Sequence, residues 1–384
     1  MHLRNFIRRQ KWRLRPLKRT ILPLRNAKRR IVAQWRKLPT IEESAANYRG
    51  PSFAGLTEVF PSDKIRGPVH PFQPNESNWD LVSEAALIYH LKNIDFWARY
   101  GGSVVTSDNK LLADLSPEVW GVTSHPLFSH FTLPARRNLP GRTAIAVTPE
   151  APGNYYHWLI DLLPRVALLQ LAAPPGFDRL LLNGSRSNYE TASLTALQIP
   201  SGKIQYVDSC DRFQIEEAII PSMDHFAGAI APWKVELLRR LRGPIPRSSV
   251  RRLYISRRRA AVRRIGNEPE LEEILRAANF FIAELEGKSW QEQIALFSTA
   301  EVILAPHGAA LANIVFAEPG RLVAEIGTRA AYKNFYLHLA AAARLRYRFI
   351  EARPRRFGEK AVRAVENEDM IVDLVAIRKF VDEL

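Results

Sequence analysis

Between Arg252 and Gly327 the chain repeats one pattern, and that repetition limits the possible fold more than any other feature. RLYIS (252–256) reads as a strand, NEPELEEILRAA (267–278) as a helix and FFIAEL (280–285) as a strand. SWQEQIALFSTA (289–300) follows as a helix, EVILA (301–305) as a strand, ALANIVF (310–316) as a short helix and RLVAEIG (321–327) as a strand. Short apolar runs mark the strands, and 3–4 spacing of apolar residues marks the helices. Asn267 with Glu270, and Ser289 with Glu292, have the spacing of capping boxes at two helix starts. Strands that alternate with helices at this spacing imply a parallel sheet wrapped by helices.

A looser version of the rhythm starts at Thr143. TAIAVT is a strand, Asn154 to about Gln170 a helix, DRLLLN a strand and YETASLTALQ a helix; IQYV and QIEEAII are strands, and PWKVELLRRL is a helix. Gly243-Pro244-Ile245-Pro246 then breaks the chain. The expected fold class is α/β, with two Rossmann-like domains facing a cleft and a basic N-terminal extension. The expected divisions are a tail and linker at 1–48, an acceptor-side domain at 49–243 with an irregular β-rich start, and a ligand-binding domain at 244–384. Residues 38–75 read as a linker, ALIYHL and GSVVTS as strands, and NEDMIVDLVAIRKFVDEL as one amphipathic helix.

Charge is unevenly spread. The formal net charge is +16, yet 14 of the 55 basic residues fall in residues 1–37, which hold no acid. The rest of the chain carries 41 basic against 39 acidic residues, a net of +2. Such a tail suits an anionic membrane surface, a solvated or partner-binding role, or an organelle presequence, and nucleic acid is disfavoured because the body is nearly neutral. No run approaches the ~20 apolar residues that span a bilayer, and no apolar segment follows the basic start as a secretory signal would. The expected location is cytoplasmic, with the tail peripheral on the inner membrane face. Cys210 is the one cysteine, which excludes an intrachain disulfide or a multi-cysteine zinc site.

Two short stretches carry candidate chemistry. In GNYYHWLIDLLPR (153–165), Asn154, His157, Asp161 and Arg165 fall on one stripe of an otherwise apolar and aromatic helix. That stripe must meet water, a cleft or polar partners. It reads either as a capped helix with a structural His157–Asp161 pair, or as a site with His157 or Asp161 as general base. Pro164 removes a backbone donor and disturbs the helix.

In APHGAALANIVF (305–316), a strand delivers His307, Gly308 and Ala309 to the carboxyl edge of the sheet, where ligands of α/β folds bind. Small residues let an anion approach the backbone, and a helix start supplies free N–H groups. Arg257-Arg258-Arg259 and Arg263-Arg264 follow another strand and reach the same rim. Glu325 ends the next strand, where a carboxylate accepts from ribose hydroxyls. Asn313 reads as packing rather than as a donor contact. Asp224 and His225 lie beyond a further strand and are weaker acceptor-side candidates, together with Asn154 and Arg165. No Gly-x-x-x-x-Gly-Lys-Ser/Thr loop, Gly-x-Gly-x-x-Gly turn or Asp-x-Asp pair is present, which disfavours a P-loop nucleotidase, a dinucleotide enzyme and a metal-held nucleotide sugar respectively.

Together, NYYHWLIDLLPR, LYISR followed by RRI-x-NE, EQI-x-LF-x-x-A, HGAALAN, FAEPG and VAEI resemble glycosyltransferase family 61 over roughly residues 140–350. The resemblance implies a GT-B-like fold and inverting transfer from a nucleotide sugar, with a UDP-sugar as the expected donor, to a glycan or other hydroxyl acceptor, without cofactor or obligatory metal. It implies that Arg257, Arg263, His307, Gly308 and Ala309 hold the donor diphosphate, that Glu325 contacts ribose or base, and that His157 or Asp161 is the base. Polysaccharide biosynthesis is the expected setting. The rival readings are a basic-tailed scaffold that keeps the fold without catalysis, and an epimerase or hydrolase acting on a nucleotide sugar.

Overall fold

The computed structural model describes residues 41–66, 70–72, 80–116, 125–130, 133–172, 176–223, 230–243, 250–355 and 367–384. The basic tail, Asp224 and His225 lie outside the described residues, as does most of the Gly243–Pro246 break. Two sheets organise the rest. The first contains β1 (Ile41–Glu43), β2 (Phe53–Phe60), β5 (Ala86–Trp97), β6 (Ser103–Val105), β7 (Lys110–Leu112), β8 (Arg137–Ala146), β9 (Arg179–Leu182), β10 (Ile204–Tyr206) and β11 (Arg212–Pro221). Its order is β1-β7-β6-β5-β11-β8-β9-β10, with β2 also on β5. The run β11-β8-β9-β10 is parallel, whereas β5 pairs antiparallel with β11, β2 and β6. A separate hairpin joins β3 (Asp63–Arg66) to β4 (Asp80–Ser83).

The second sheet contains β12 (Arg252–Ile255), β13 (Phe280–Ala283), β14 (Val302–Pro306), β15 (Leu322–Gly327), β16 (Arg346–Pro354) and β17 (Met370–Val372), in the order β13-β12-β14-β15-β16-β17. All pairs are parallel except β16 with β17. The chain leaves β12 for β13 on one side and returns to β14 on the other, so strand order reverses between β12 and β14. That reversal opens a crevice at their carboxyl ends, the usual ligand position in open α/β sheets.

Four expectations need correction. Residues 38–75 are not simply a linker, because β1, β2 and β3 lie within them; β1 and β2 are added to the first sheet by β7 and β5, partners distant in sequence. The last segment is not one helix but β17 followed by a helix at Leu374–Asp382, started by the Asp373 carboxylate, which accepts from Val375 N–H. Asn267 does not cap its helix with its side chain; it clamps β17, donating to Val372 C=O and accepting from Val372 N–H. The Ser289–Glu292 box does form. The stretch after His307 is a run of 3-10 turns at Ala309–Phe316 rather than an α-helix.

One buried cluster joins the two sheets. Trp158, Leu162 and Val166 from the first half belong to the same apolar core as Leu311, Phe316 and Phe297 from the second. At about 25 cal/mol per Å² of apolar surface, a seam built from such large side chains is a folding interface. Separate cores lie under the far face of each sheet. Among the described residues, no helix is long and apolar enough to cross a membrane.

Candidate active site

The helix that carries the polar stripe is irregular where the stripe lies. His157–Leu162 is π-helical and passes into an α-helix at Leu163–Ala172. The Leu163 N–H donates to Trp158 C=O, five residues back. Pro164 has no N–H to donate and its ring crowds the carbonyl four residues earlier, so widening the preceding turn accommodates it. Asn154 starts the helix: its Oδ1 accepts from Tyr156 N–H at 3.1 Å and its C=O from Trp158 N–H. Arg165, only 4% exposed, donates to the carbonyls of Val147 and Pro221 at the ends of β8 and β11. Both residues therefore serve the local structure, whatever else they contact.

His157 and Asp161 form a close pair, Nδ1 to Oδ2 at 2.6 Å. The other ring nitrogen, Nε2, lies 3.4 Å from the Glu150 carboxylate, a neighbour that the helical spacing did not reveal. Burial pulls the His157 pKa down, but the Asp161 hydrogen bond and the charges of Asp161 and Glu150 outweigh it, and the net direction is upward.

At the crevice of the second sheet, His307 Nδ1 lies 2.5 Å from Glu325 Oε1, and the Tyr347 hydroxyl donates to Glu325 Oε2 at 2.6 Å. Glu325 is fully buried. The expectation that it reaches a ribose hydroxyl conflicts with this placement, because both oxygens are engaged inside the sheet. Its position instead fixes the His307 ring, Nδ1 inward and Nε2 outward. The Tyr336 hydroxyl donates to Gly308 C=O at 2.6 Å, and the Tyr336 and His307 rings meet edge to face at 5.3 Å.

The arginines divide into two groups. Arg258 pairs with Glu272 and Glu284, Arg259 with Glu284, and Arg264 with Asp369. Arg257 and Arg263 form no ion pair among the described residues. Arg257 donates to Val262 C=O at 3.1 Å, and its Nη1 lies 2.0 Å from where a Cβ on Gly308 would stand. The Nε atoms of Arg257 and Arg263 are buried without a hydrogen-bond partner. Burial first, and the adjacent Arg263 charge second, lower the Arg257 pKa. Arg263 lines a recess with His307, Glu325, Thr328, Tyr332 and Phe349.

The two constellations meet across the seam. The Tyr156 ring contacts His157 at 5.3 Å and Tyr336 at 5.8 Å, and Tyr336 in turn touches His307. Beside this bridge, Trp290 Nε1 donates to the Tyr155 hydroxyl, which donates to Asn313 Oδ1 at 2.5 Å. Asn313 also donates to Gln293 and to Ala310 C=O, as a packing residue would. Tyr155, Tyr156, Tyr336 and Tyr347 escaped the sequence reading because aromatic residues on buried elements carry no local sign of a polar role. Among the described residues, no group of three or more His, Cys, Asp or Glu side chains is arranged to hold a metal ion.

Residues 155–324 match the family model described as Glycosyltransferase 61. No curated protein matches the chain. Among solved structures, a bacterial iron-containing dodecameric glycosyltransferase, TibC from enterotoxigenic E. coli, is similar at 10% identity and a TM-score of 0.27, covering 77% of this chain and 81% of that one. A similarity that small carries no argument about this chain. The matched segment holds His157, Asp161, Arg257, Arg263 and His307, and over residues 155–324 the chain is similar to glycosyltransferase family 61, which supports a glycosyltransferase.

Proposed function

We propose that the enzyme moves a sugar from a nucleotide-sugar donor, of UDP type, to a hydroxyl acceptor with inversion at the anomeric carbon. The two sheets then correspond to the halves of a GT-B-like architecture, divided near residue 243, with the donor on the second. One observation carries this reading: Arg257 and Arg263 sit side by side at the crevice, half-buried and without a carboxylate partner among the described residues. A half-buried cation without a counter-charge is unfavourable, and a second one beside it adds repulsion. A diphosphate with matching charge and acceptor oxygens would offset that cost.

In this reading Arg257, Arg263, His307 and the backbone of Gly308 and Ala309 surround the leaving diphosphate. They meet its charge as the glycosidic bond breaks, so no metal is obligatory. His307 presents Nε2 because Glu325, itself held by the Tyr347 hydroxyl, engages Nδ1. The acceptor approaches from the His157 side, opposite the leaving group, and its proton passes to the polar cluster there. Residues 1–37 would hold the enzyme on an anionic inner membrane face, near a growing polysaccharide.

The test is calorimetric titration of the full chain with UDP, GDP and CMP, with EDTA and again with magnesium. The expected result is binding of UDP that survives EDTA and weakens at least 10-fold in His307→Ala. Equal weak binding of all three nucleotides, or none, counts against the donor site.

A further inference from the structure

We infer that Glu150 is the catalytic residue that takes the proton from the acceptor hydroxyl, while His157 acts as a cationic positioning residue between two carboxylates. The inference rests on the transfer reaction proposed above, and it replaces His157 and Asp161 as candidate bases with a residue that precedes the helix.

The geometry begins with the two ring nitrogens. Nδ1 faces Asp161 Oδ2 at 2.6 Å and Nε2 faces Glu150 Oε2 at 3.4 Å. A neutral imidazole has one N–H, so one nitrogen would direct a lone pair at a carboxylate. An imidazolium meets both with N–H groups, and the upward shift of His157 agrees. Among the described residues, the Tyr156 phenol packs against the ring, and Tyr336 packs against Tyr156. Burial raises both, so they stay neutral and do not oppose the cation.

An imidazolium has no lone pair with which to accept a proton, so the base must be a carboxylate. Asp161 is committed at short range to Nδ1. Glu150 makes the longer contact, and its side chain is 34% exposed against 25% for Asp161, so an incoming hydroxyl reaches it more readily.

The step balances without any co-reactant. The acceptor O–H bond breaks and its proton goes to the Glu150 carboxylate. The freed oxygen pair forms the new bond to the anomeric carbon. The bond from that carbon to the diphosphate oxygen breaks, and its electron pair leaves on the phosphate beside Arg257 and Arg263. The charge of His157 draws Glu150 to its Nε2 side, and Asp161 holds the ring through Nδ1.

Two measurements on the full chain test this. The first is an NMR titration of isotope-labelled histidine, with His157 assigned among the nine histidines by comparison with His157→Gln. Protonation of His157 should persist above the ordinary value of about 6.5, and Glu150→Gln should move the midpoint down. A wild-type midpoint at or below the ordinary value would overturn the inference, because a neutral His157 would then be available as base. The second is release of UDP from UDP-glucose and UDP-N-acetylglucosamine in water. Turnover should fall on the order of 10²–10⁴-fold in Glu150→Gln, with partial retention in Glu150→Asp and unchanged UDP affinity. Wild-type turnover in Glu150→Gln would also overturn it. Failure to bind UDP would instead remove the donor site, and the NMR midpoint would still decide the charge of His157.

Discussion

Gly308→Ala offers a stringent test of the proposed donor crevice. Gly308 has φ 170°, extended backbone open to any residue, so glycine is not required there by conformation. It is required by space: an added Cβ would lie 2.0 Å from Arg257 Nη1 and 2.8 Å from Cζ. The guanidinium is the end of a flexible side chain, so the variant should fold, with Arg257 swung away from the crevice. Loss of one charge-assisted contact to phosphate is worth about 1.5–3 kcal/mol. That corresponds to roughly 10- to 150-fold in Kd. Stability should change by about 0.5 kcal/mol or less, since moving Arg257 away also relieves its repulsion with Arg263. Arg257→Ala should weaken binding by a similar factor, and the double variant should bind no worse than Arg257→Ala alone, because Gly308 acts through the same guanidinium. Calorimetric titration of the four proteins with UDP, with a melting curve for each, reads all of these quantities. An unchanged Kd in Gly308→Ala, or losses that simply add in the double variant, would refute the reasoning.

Two further predictions concern stability. Tyr155→Phe removes the hydroxyl between Trp290 and Asn313 and should cost about 1–3 kcal/mol. Urea unfolding should show a lower midpoint in a single transition; a wild-type midpoint, or separate transitions for the two halves, would contradict the shared core. His125 is held to a pKa of about 4 by burial, and its Nδ1 accepts from Leu127 N–H. Because the folded value is depressed below the unfolded value near 6.5, this group's stability contribution is present at neutral pH and lost as pH falls from about 6.5 toward 4, by about 3 kcal/mol in all. His125→Asn keeps an accepting side chain that does not titrate, so its urea midpoint should fall less between pH 7 and pH 4.5; equal slopes would dismiss His125 as the cause.

Strands β12, β14 and β15 of the second sheet were legible in sequence because they are buried on both faces and read as unbroken apolar runs between amphipathic helices, whereas β16 and β17 are partly exposed and were not read as strands. In the first sheet ALIYHL and GSVVTS were read as strands and fall in β5 and β6, but β1 and β2 were missed. β1 and β2 are short or open on one face, and their partners β7 and β5 lie far along the chain, so Pro, Gly and Ser around them look like a linker. The site divides the same way. Strand ends placed His307, Gly308 and Arg257 on one rim, but Arg257, Arg258 and Arg259 are equivalent by spacing alone. Only the fold shows Glu272 and Glu284 taking the last two. Glu325 was misread for a related reason: a carboxylate near a strand end is exposed or buried according to which way the strand faces, and here it turns into the protein between His307 and Tyr347.

The seam has a practical meaning for anyone who would alter the sugar that this enzyme transfers. In architectures whose halves meet through water, one half can be exchanged for that of a relative. Here Trp158 and Leu162 share a core with Leu311 and Phe316, and the Tyr155 hydroxyl is bonded from across the boundary. A transplanted half would arrive with mismatched side chains at a packed surface. Changes of specificity in this scaffold therefore have to be made residue by residue along the crevice, with the residues of the boundary left as they are.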